Sequence, residues 1–227
     1  MKYPKIVLTY FNIEGAAEPT RLALALAGIE YEDKRVQFSE WATMKPTTPY
    51  GQLPLLTVDD GAFQTQSNAM LRYVASLNAG NGLYPKENLY EIEECIGLLD
   101  DMKNSWSPNL YMSMRPAKFG YPADYAKTEE GKEKLKSMRQ AWIKDELPIY
   151  LGHLMAKIEK NGGKWLASSD KPTIADCYAV PALRNYTRGH IDHVDSSCLD
   201  SYKPIVDYVK RFCELEGIKG RYTDGLH

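Results

Sequence analysis

The pattern of apolar residues changes character near residue 80, and this change limits the fold more than any other feature of the 227-residue chain. Before it, short apolar runs alternate with one helical stretch. Lys5-Ile6-Val7-Leu8-Thr9-Tyr10-Phe11 reads as a strand. Gly15 breaks that run, and Glu18 to Leu26 reads as a helix, with Pro19 in its first turn and Gly28 just beyond its end. Tyr31 to Val36 is a second strand, so the strand–helix–strand unit predicts a parallel pair. Ser39 to Tyr50 is expected to be a loop with helical fragments. Leu55 to Val58 is a third strand, and Asp59-Asp60-Gly61 a hairpin turn into a fourth strand beginning at Ala62-Phe63-Gln64. Ser67 opens a helix to about Leu77. Ala79-Gly80-Asn81-Gly82 reads as a linker.

Beyond the linker the pattern is helical. The expected helices are Tyr90 to Lys103, Glu130 to Ile158 with Pro148 bending it, Ile174 to Tyr186 and Tyr202 to Glu214. Pro108 to Tyr125, rich in Pro, Met, Tyr and Gly, is expected to be irregular. The chain therefore divides into an α/β domain over 1–80 and an all-α domain over 88–227. That order alone does not specify an activity.

Two segments carry more chemistry. In Tyr50-Gly51-Gln52-Leu53-Pro54-Leu55-Leu56 a proline stands at the entry to an apolar strand, where it removes a ladder donor. A cis-proline turn would leave the Leu53 N–H and C=O facing a cleft, ready to bind an extended peptide-like ligand. A plain edge-strand proline explains the same residue. In Gln66-Ser67-Asn68, Ser67 is a natural N-cap, and the exposed helix start suits a carboxylate. An ordinary cap also fits.

The remaining composition narrows the possible classes. Twenty-eight basic and 30 acidic residues give a formal charge of -2, without the positive clustering that nucleic-acid binding needs. No stretch approaches the roughly 20 apolar residues of a membrane span, and Met1 to Tyr10 reads as a strand rather than a leader. Cys95, Cys177, Cys198 and Cys213 form no CxxC pair and read as reduced, mostly buried thiols of a cytoplasmic protein. His153, His190, His193 and His227 lack ligand spacing, so no metal is expected. The Lys132 to Lys136 region, with Glu129, Glu130 and Glu133, reads as a solvated helix face.

Taken together, Leu8-Thr9-Tyr10-Phe11-Asn12, the Leu53-Pro54 turn, the Gln66-Ser67-Asn68 helix start, Trp165-Leu166 and Thr173-Ile174-Ala175-Asp176 resemble the cytosolic glutathione transferases of the tyrosine type. The last of these is a capping box that supports folding. The loop and helix start look pi-like. Tyr10-Phe11-Asn12, Tyr31-Glu32-Asp33 and Leu99-Asp100-Asp101 look sigma-like. The resemblance implies a thioredoxin-like N-terminal domain and a helical C-terminal domain. It also implies that the protein uses glutathione as co-substrate, without another cofactor.

Carried over by position, the resemblance gives Tyr10 the hydroxyl that faces the glutathione sulfur. Trp41 and Lys45 hold the glycine end. Gln52 and the Leu53 backbone hold the middle beside a cis Pro54. Gln66 and Ser67 grip the γ-glutamyl carboxylate. Asp101 reaches the γ-glutamyl amine from the other subunit of a homodimer, and Tyr50 is the aromatic inserted into that partner. Small hydrophobic electrophiles would meet Met102, Trp106, Tyr111 and Arg115, with Met112 and Met114 nearby. Conjugation is the implied reaction. A glutathione-dependent isomerase of the prostaglandin-synthase type and a non-catalytic, crystallin-like binding protein are the alternatives. Many relatives carry Arg-Gly-Arg where this chain has Glu14-Gly15-Ala16, which removes positive charge from beside Tyr10. Arg21 is a candidate to compensate, or to form a structural ion pair. Gly97 stands where a further metal-binding aspartate of the sigma-class synthases would be.

Overall fold

The computed structural model describes residues 3–78, 80 and 82–227; Ala79 and Asn81 of the expected linker lie outside the described residues. Strand β1 (Ile6–Phe11) lies at the centre of a three-stranded sheet. It pairs in parallel with β2 (Glu32–Val36) and antiparallel with β3 (Leu55–Val58). Helix α1 (Glu18–Leu26) makes the crossover that a parallel pair requires. Its Leu22, Ala23 and Leu24 are fully buried. The expected loop after β2 contains a short helix, α2 (Phe38–Met44), started by a capping box between Gln37 and Glu40.

The fourth strand is reduced to one residue. Gln64 exchanges two backbone hydrogen bonds with Leu56, at 2.8 and 3.0 Å, and forms an isolated bridge. The tight turn before it uses Asp59 and Asp60, with φ of 49° and 59°, closed by the Gly61 N–H on the Val58 carbonyl at 3.0 Å. These are the two left-handed residues of a type I′ hairpin turn. Ala62 to Gln64 are exposed, so no apolar face holds a longer strand. The chain then turns at Gln66 into α3 (Ser67–Leu77).

The rest is helical. Helix α4 (Leu89–Met114) runs eleven residues past its expected end and includes Pro108, so the first part of the 108–125 segment is regular helix. The remainder holds two short 3-10 turns, Pro116–Phe119 and Tyr125–Lys127. The long helix expected over Glu130 to Ile158 is two helices, α5 (Glu129–Ala141) and α6 (Leu147–Lys160), joined by a π-helical turn at Trp142–Glu146. Pro148 lacks the N–H that an uninterrupted helix needs there, and it sits in the first turn of α6 instead. Helices α7 (Ile174–Arg184) and α8 (Lys203–Cys213) complete the order. No helix of the described residues is long and apolar enough to cross a membrane.

A single buried cluster joins the sheet and the helices. Ile6, Leu8, Leu22 and Met70 belong to the same apolar body as Ile92, Leu99, Leu151 and Val180. Burial of this scale supplies the main folding force. Asp176 fastens its far side from the N3 position of α7. Its carboxylate accepts from the Thr173 N–H (2.7 Å), the Thr173 hydroxyl (3.2 Å), the Leu166 N–H (3.0 Å) and the Tyr208 hydroxyl (2.8 Å).

Candidate functional site

The sheet topology brings three of the expected residues to one end of the sheet. Thr9 lies opposite Leu55, so one step further sets Tyr10 opposite Pro54. Leu56 bridges Gln64, and Gln66 follows two residues on, at the start of α3. Neighbouring strands are about 4.8 Å apart, so two such spacings, from Tyr10 past Pro54 to Gln66, come to about 10 Å. That is the length of an extended tripeptide.

Each position in the row has free polar groups. The Leu53–Pro54 peptide is cis. Among the described residues, none bonds to the Leu53 backbone N–H or carbonyl. Gln66 has φ of 72°, a backbone state that costs a non-glycine residue about 1–3 kcal/mol and is held only by its surroundings. Its carbonyl accepts from the Ala69 and Met70 N–H groups at 2.9 and 3.0 Å. Gln66 is thus the N-cap residue, and Ser67 is the first residue of the helix rather than its cap. Neither the Ser67 hydroxyl nor the Ser67 and Asn68 N–H groups have partners among the described residues. The positive end of the α3 dipole is left open.

The start of α3 is tied to two other helices. Asn68 donates to Asp100 at 3.3 Å, and Tyr178 donates to the other carboxylate oxygen. The half-buried Lys103 ammonium lies 3.6 Å from the Tyr178 ring centroid, and burial pushes it down to about 8. Asp100 is therefore a clasp between α3, α4 and α7.

Tyr10, at the end of β1, is 8 % exposed. Its hydroxyl accepts from the Ala16 N–H at 3.1 Å. Among the described residues, nothing accepts the Tyr10 O–H itself. Sequence reasoning missed the Ala16 contact, because it is made by backbone and leaves no mark on residue type. Gly15, with φ of 47°, is the only trace it leaves. A β-carbon there would lie 2.6 Å from the Tyr10 oxygen and 2.8 Å from Cε1. Gly15→Ala is expected to push the ring away, break the Ala16 bond and cost about 1–3 kcal/mol. A urea midpoint equal to wild type would contradict this.

Arg21 takes the structural role of the two open to it. It is fully buried and donates to the Ile13 carbonyl (2.9 Å), the Glu14 carbonyl (3.1 Å), Glu18 (3.1 Å) and Asp33 (3.2 Å). Its guanidinium carbon also stands 5.7 Å from the Tyr10 ring centroid. It holds the loop after β1, and its charge beside the ring is paired with the Glu18 and Asp33 carboxylates.

Trp41 is half-buried against Phe11, with ring centroids 5.7 Å apart, and Phe11 stacks on the exposed Phe38 at 4.6 Å. Lys45 and Gln52 are exposed, and Gly51 packs against the Lys45 stem. Tyr50 is 66 % exposed. Asp101 is exposed too, and lines an open groove of about 620 Å³ between α4 and α6, with Glu94, Gly97, Leu98 and His153. Among the described residues it makes no side-chain hydrogen bond to Gln66, Ser67 or Asn68 of its own chain.

The expected electrophile pocket needs correcting. Met102 and Trp106 are core residues: Met102 is fully buried, and the Trp106 ring packs on Trp142 (4.9 Å) and Tyr186 (5.3 Å). They continue the apolar stripe of Cys95 and Leu99 at helical spacing. Met112 is buried with Tyr125 and Leu135 in a small separate cluster. Tyr111 is half-buried beside Arg115 and Lys118, while Arg115 and Met114 are exposed. All four cysteines are unpaired, and three are buried.

Comparison with known proteins now assigns the family. The family model described as glutathione S-transferase, N-terminal domain, matches residues 6–76, and that of the C-terminal domain matches residues 121–222. The chain belongs to the glutathione S-transferase family of enzymes. A class-mu 28 kDa glutathione S-transferase isozyme of Schistosoma bovis is 30 % identical over 186 residues, which is 80 % of this chain and 79 % of that protein. A hematopoietic prostaglandin D synthase of Gallus gallus is 45 % identical over 84 residues, 37 % of this chain and 42 % of that protein. Among solved structures, prostaglandin synthase D of Nilaparvata lugens superposes with a TM-score of 0.74 at 28 % identity, covering 95 % of this chain and 96 % of that one. The relatives span several classes of the family.

Proposed function

We propose that this protein binds glutathione along the Tyr10–Pro54–Gln66 row and activates its thiol through the Tyr10 hydroxyl. The observation that carries this reading is the state of that hydroxyl. It accepts a hydrogen bond from the Ala16 N–H and donates to none of the described residues, so its proton is available to a sulfur atom. The N–H on its oxygen polarises the hydroxyl and strengthens it as a donor. A free thiol has a pKa of about 8.5 and is mostly protonated at neutral pH, whereas the thiolate is the nucleophile. A donor that lowered it by two units would favour the anion by about 2.7 kcal/mol, or roughly a hundredfold. The open α3 start suits the γ-glutamyl carboxylate, the Leu53 backbone suits the cysteinyl peptide, and Trp41, Lys45 and Gln52 serve the glycine end. In a homodimer, Asp101 and the exposed Tyr50 act across the interface.

Activated thiolate serves two reactions. Conjugation consumes glutathione, whereas isomerisation returns it. The likeness to the prostaglandin synthases of Nilaparvata lugens and Gallus gallus favours the isomerase reading over detoxifying conjugation. Glutathione turnover with an aryl halide, and isomer formation from a prostaglandin endoperoxide, should both be measured in wild type and Tyr10→Phe. Tyr10→Phe is expected to lose about a hundredfold in turnover while keeping its affinity for glutathione. Near-normal turnover in the mutant overturns the Tyr10 assignment. Product formed without net loss of glutathione identifies the isomerase.

A further inference from the structure

The loop between Tyr10 and α1 is held from its far side by the C-terminal segment, through a charge network that has no part in the reading above. The Glu14 carboxylate is 17 % exposed and accepts from Arg184 Nη2 at 3.2 Å, with Arg188 Nη1 at 3.3 Å from the same oxygen. The Arg184 side chain is fully buried. Asp224 closes the square, 3.2 Å from Arg184 and 2.9 Å from Arg188. Two positive and two negative groups therefore balance in a partly buried site, where an ion pair depends on keeping all its members.

The square is itself braced. Arg184 donates to the Leu226 carbonyl, and the Leu226 N–H donates to Thr187 Oγ1 at 2.9 Å. The Arg184 guanidinium lies 3.6 Å from the Tyr222 ring centroid, and Tyr222 donates to Glu18 at 3.1 Å. Arg35 reaches the Ile13 carbonyl at 3.4 Å, and exposed His190 is close enough to be influenced by Arg188, Asp224 and Glu14. Glu14 is thus gripped twice: Arg21 holds its carbonyl at 3.1 Å, and the square holds its side chain.

One residue separates Glu14 from Ala16, and that residue is Gly15, packed directly on the Tyr10 hydroxyl. We propose that Glu14 is a positioning residue: the Arg184–Arg188–Asp224 square fixes the loop through Glu14 and so sets the Ala16 N–H against the Tyr10 oxygen. The inference rests on Tyr10 being the thiol-activating group. It gives Glu14, which brings negative charge to the loop, a constructive role. Its charge is cancelled on the outer side, and the backbone two residues on, at Ala16, delivers a donor to the inner side. A shift of a few tenths of an ångström in Ala16 N–H would weaken the 3.1 Å bond.

Glu14→Gln keeps the shape and removes the charge, and Asp224→Asn loosens the same square from outside the loop. For both, the pH dependence of kcat/KM with glutathione and an aryl halide is followed, together with thiolate absorbance of bound glutathione against pH. The expected result is an upward shift of half a pH unit to one unit in both midpoints, with glutathione KM within twofold of wild type. Urea midpoints are measured alongside. Unmoved pH midpoints in folded variants overturn the proposal, whatever the change in stability, because they leave the square a structural brace only. Tyr10→Phe run in parallel separates the two failures. If it retains turnover, the Tyr10 reading itself fails. If it loses turnover while Glu14→Gln and Asp224→Asn keep the wild-type profile, only the positioning role fails.

Discussion

Between pH 8 and pH 10, under reducing conditions, the protein is expected to lose about 5 kcal/mol of stability, a third or more of an ordinary domain's reserve of about 5–15 kcal/mol. The cause is its four thiols. Burial pushes Cys95 up to about 12 and Cys198 and Cys213 up to about 11, and it pushes Cys177 well above the ordinary thiol range. In the unfolded chain each ionises near 8.5. Above that pH the folded state therefore holds more protons than the unfolded state, and stability falls as pH rises. Each thiol loses about 2 kcal/mol over the interval, roughly 7 kcal/mol for the set. Lys103 works in the opposite direction. Its folded value is depressed to about 8, so the unfolded chain binds the extra proton between pH 8 and about 10.4, and it offsets about 2 kcal/mol. Tyr186, Tyr208 and Tyr222, also pushed up by burial, add to the loss above pH 10. Urea midpoints at pH 7.5, 8.5 and 9.5 check the prediction. A flat series would mean that the thiols are not shielded as the structure indicates.

Asp176→Ala is expected to cost about 4–6 kcal/mol. The carboxylate is completely buried, and burial pushes its pKa up even though four donors work to lower it. Removing it leaves the Thr173 and Leu166 N–H groups and the Tyr208 hydroxyl without their acceptor, each at about 1–3 kcal/mol, and empties the N-terminal cap of α7. Asp176→Asn keeps one oxygen and turns its amide toward donors, so it should fall between wild type and alanine. Denaturant midpoints for the three proteins give the order. An alanine variant within 1 kcal/mol of wild type would show that water or rearrangement satisfies those donors.

The Thr173 to Asp176 cap was legible because it is local: four consecutive residues contain both halves of the bond. Helix α1 was legible for the same reason, since Pro19, Leu22 and Gly28 mark its start, face and end. Elements that depend on distant partners were not. The fourth strand failed because Ala62 to Gln64 have strand-like composition but no apolar face to rest on. Met102 and Trp106 were assigned to a pocket on residue type, yet helical spacing from Leu99 turns them into the core. The row of Tyr10, Pro54 and Gln66 could be suspected from motifs. Its alignment needed the strand register. The Ala16 donor and the Arg184 square lay beyond sequence reasoning, one because backbone carries no residue identity and the other because its partners are 170 residues apart.

That separation also bears on biosynthesis. Glu18, almost fully buried behind the Tyr10 loop, pairs with Arg221, 203 residues later. At ordinary translation speeds roughly 10 to 40 seconds separate the appearance of the two residues. During that time the nascent chain holds a carboxylate that its finished surroundings bury, and the loop beside Tyr10 lacks its outer brace. The first segment made is among the last to be completed, so a ribosome-stalled chain that has folded its sheet would still lack a finished site.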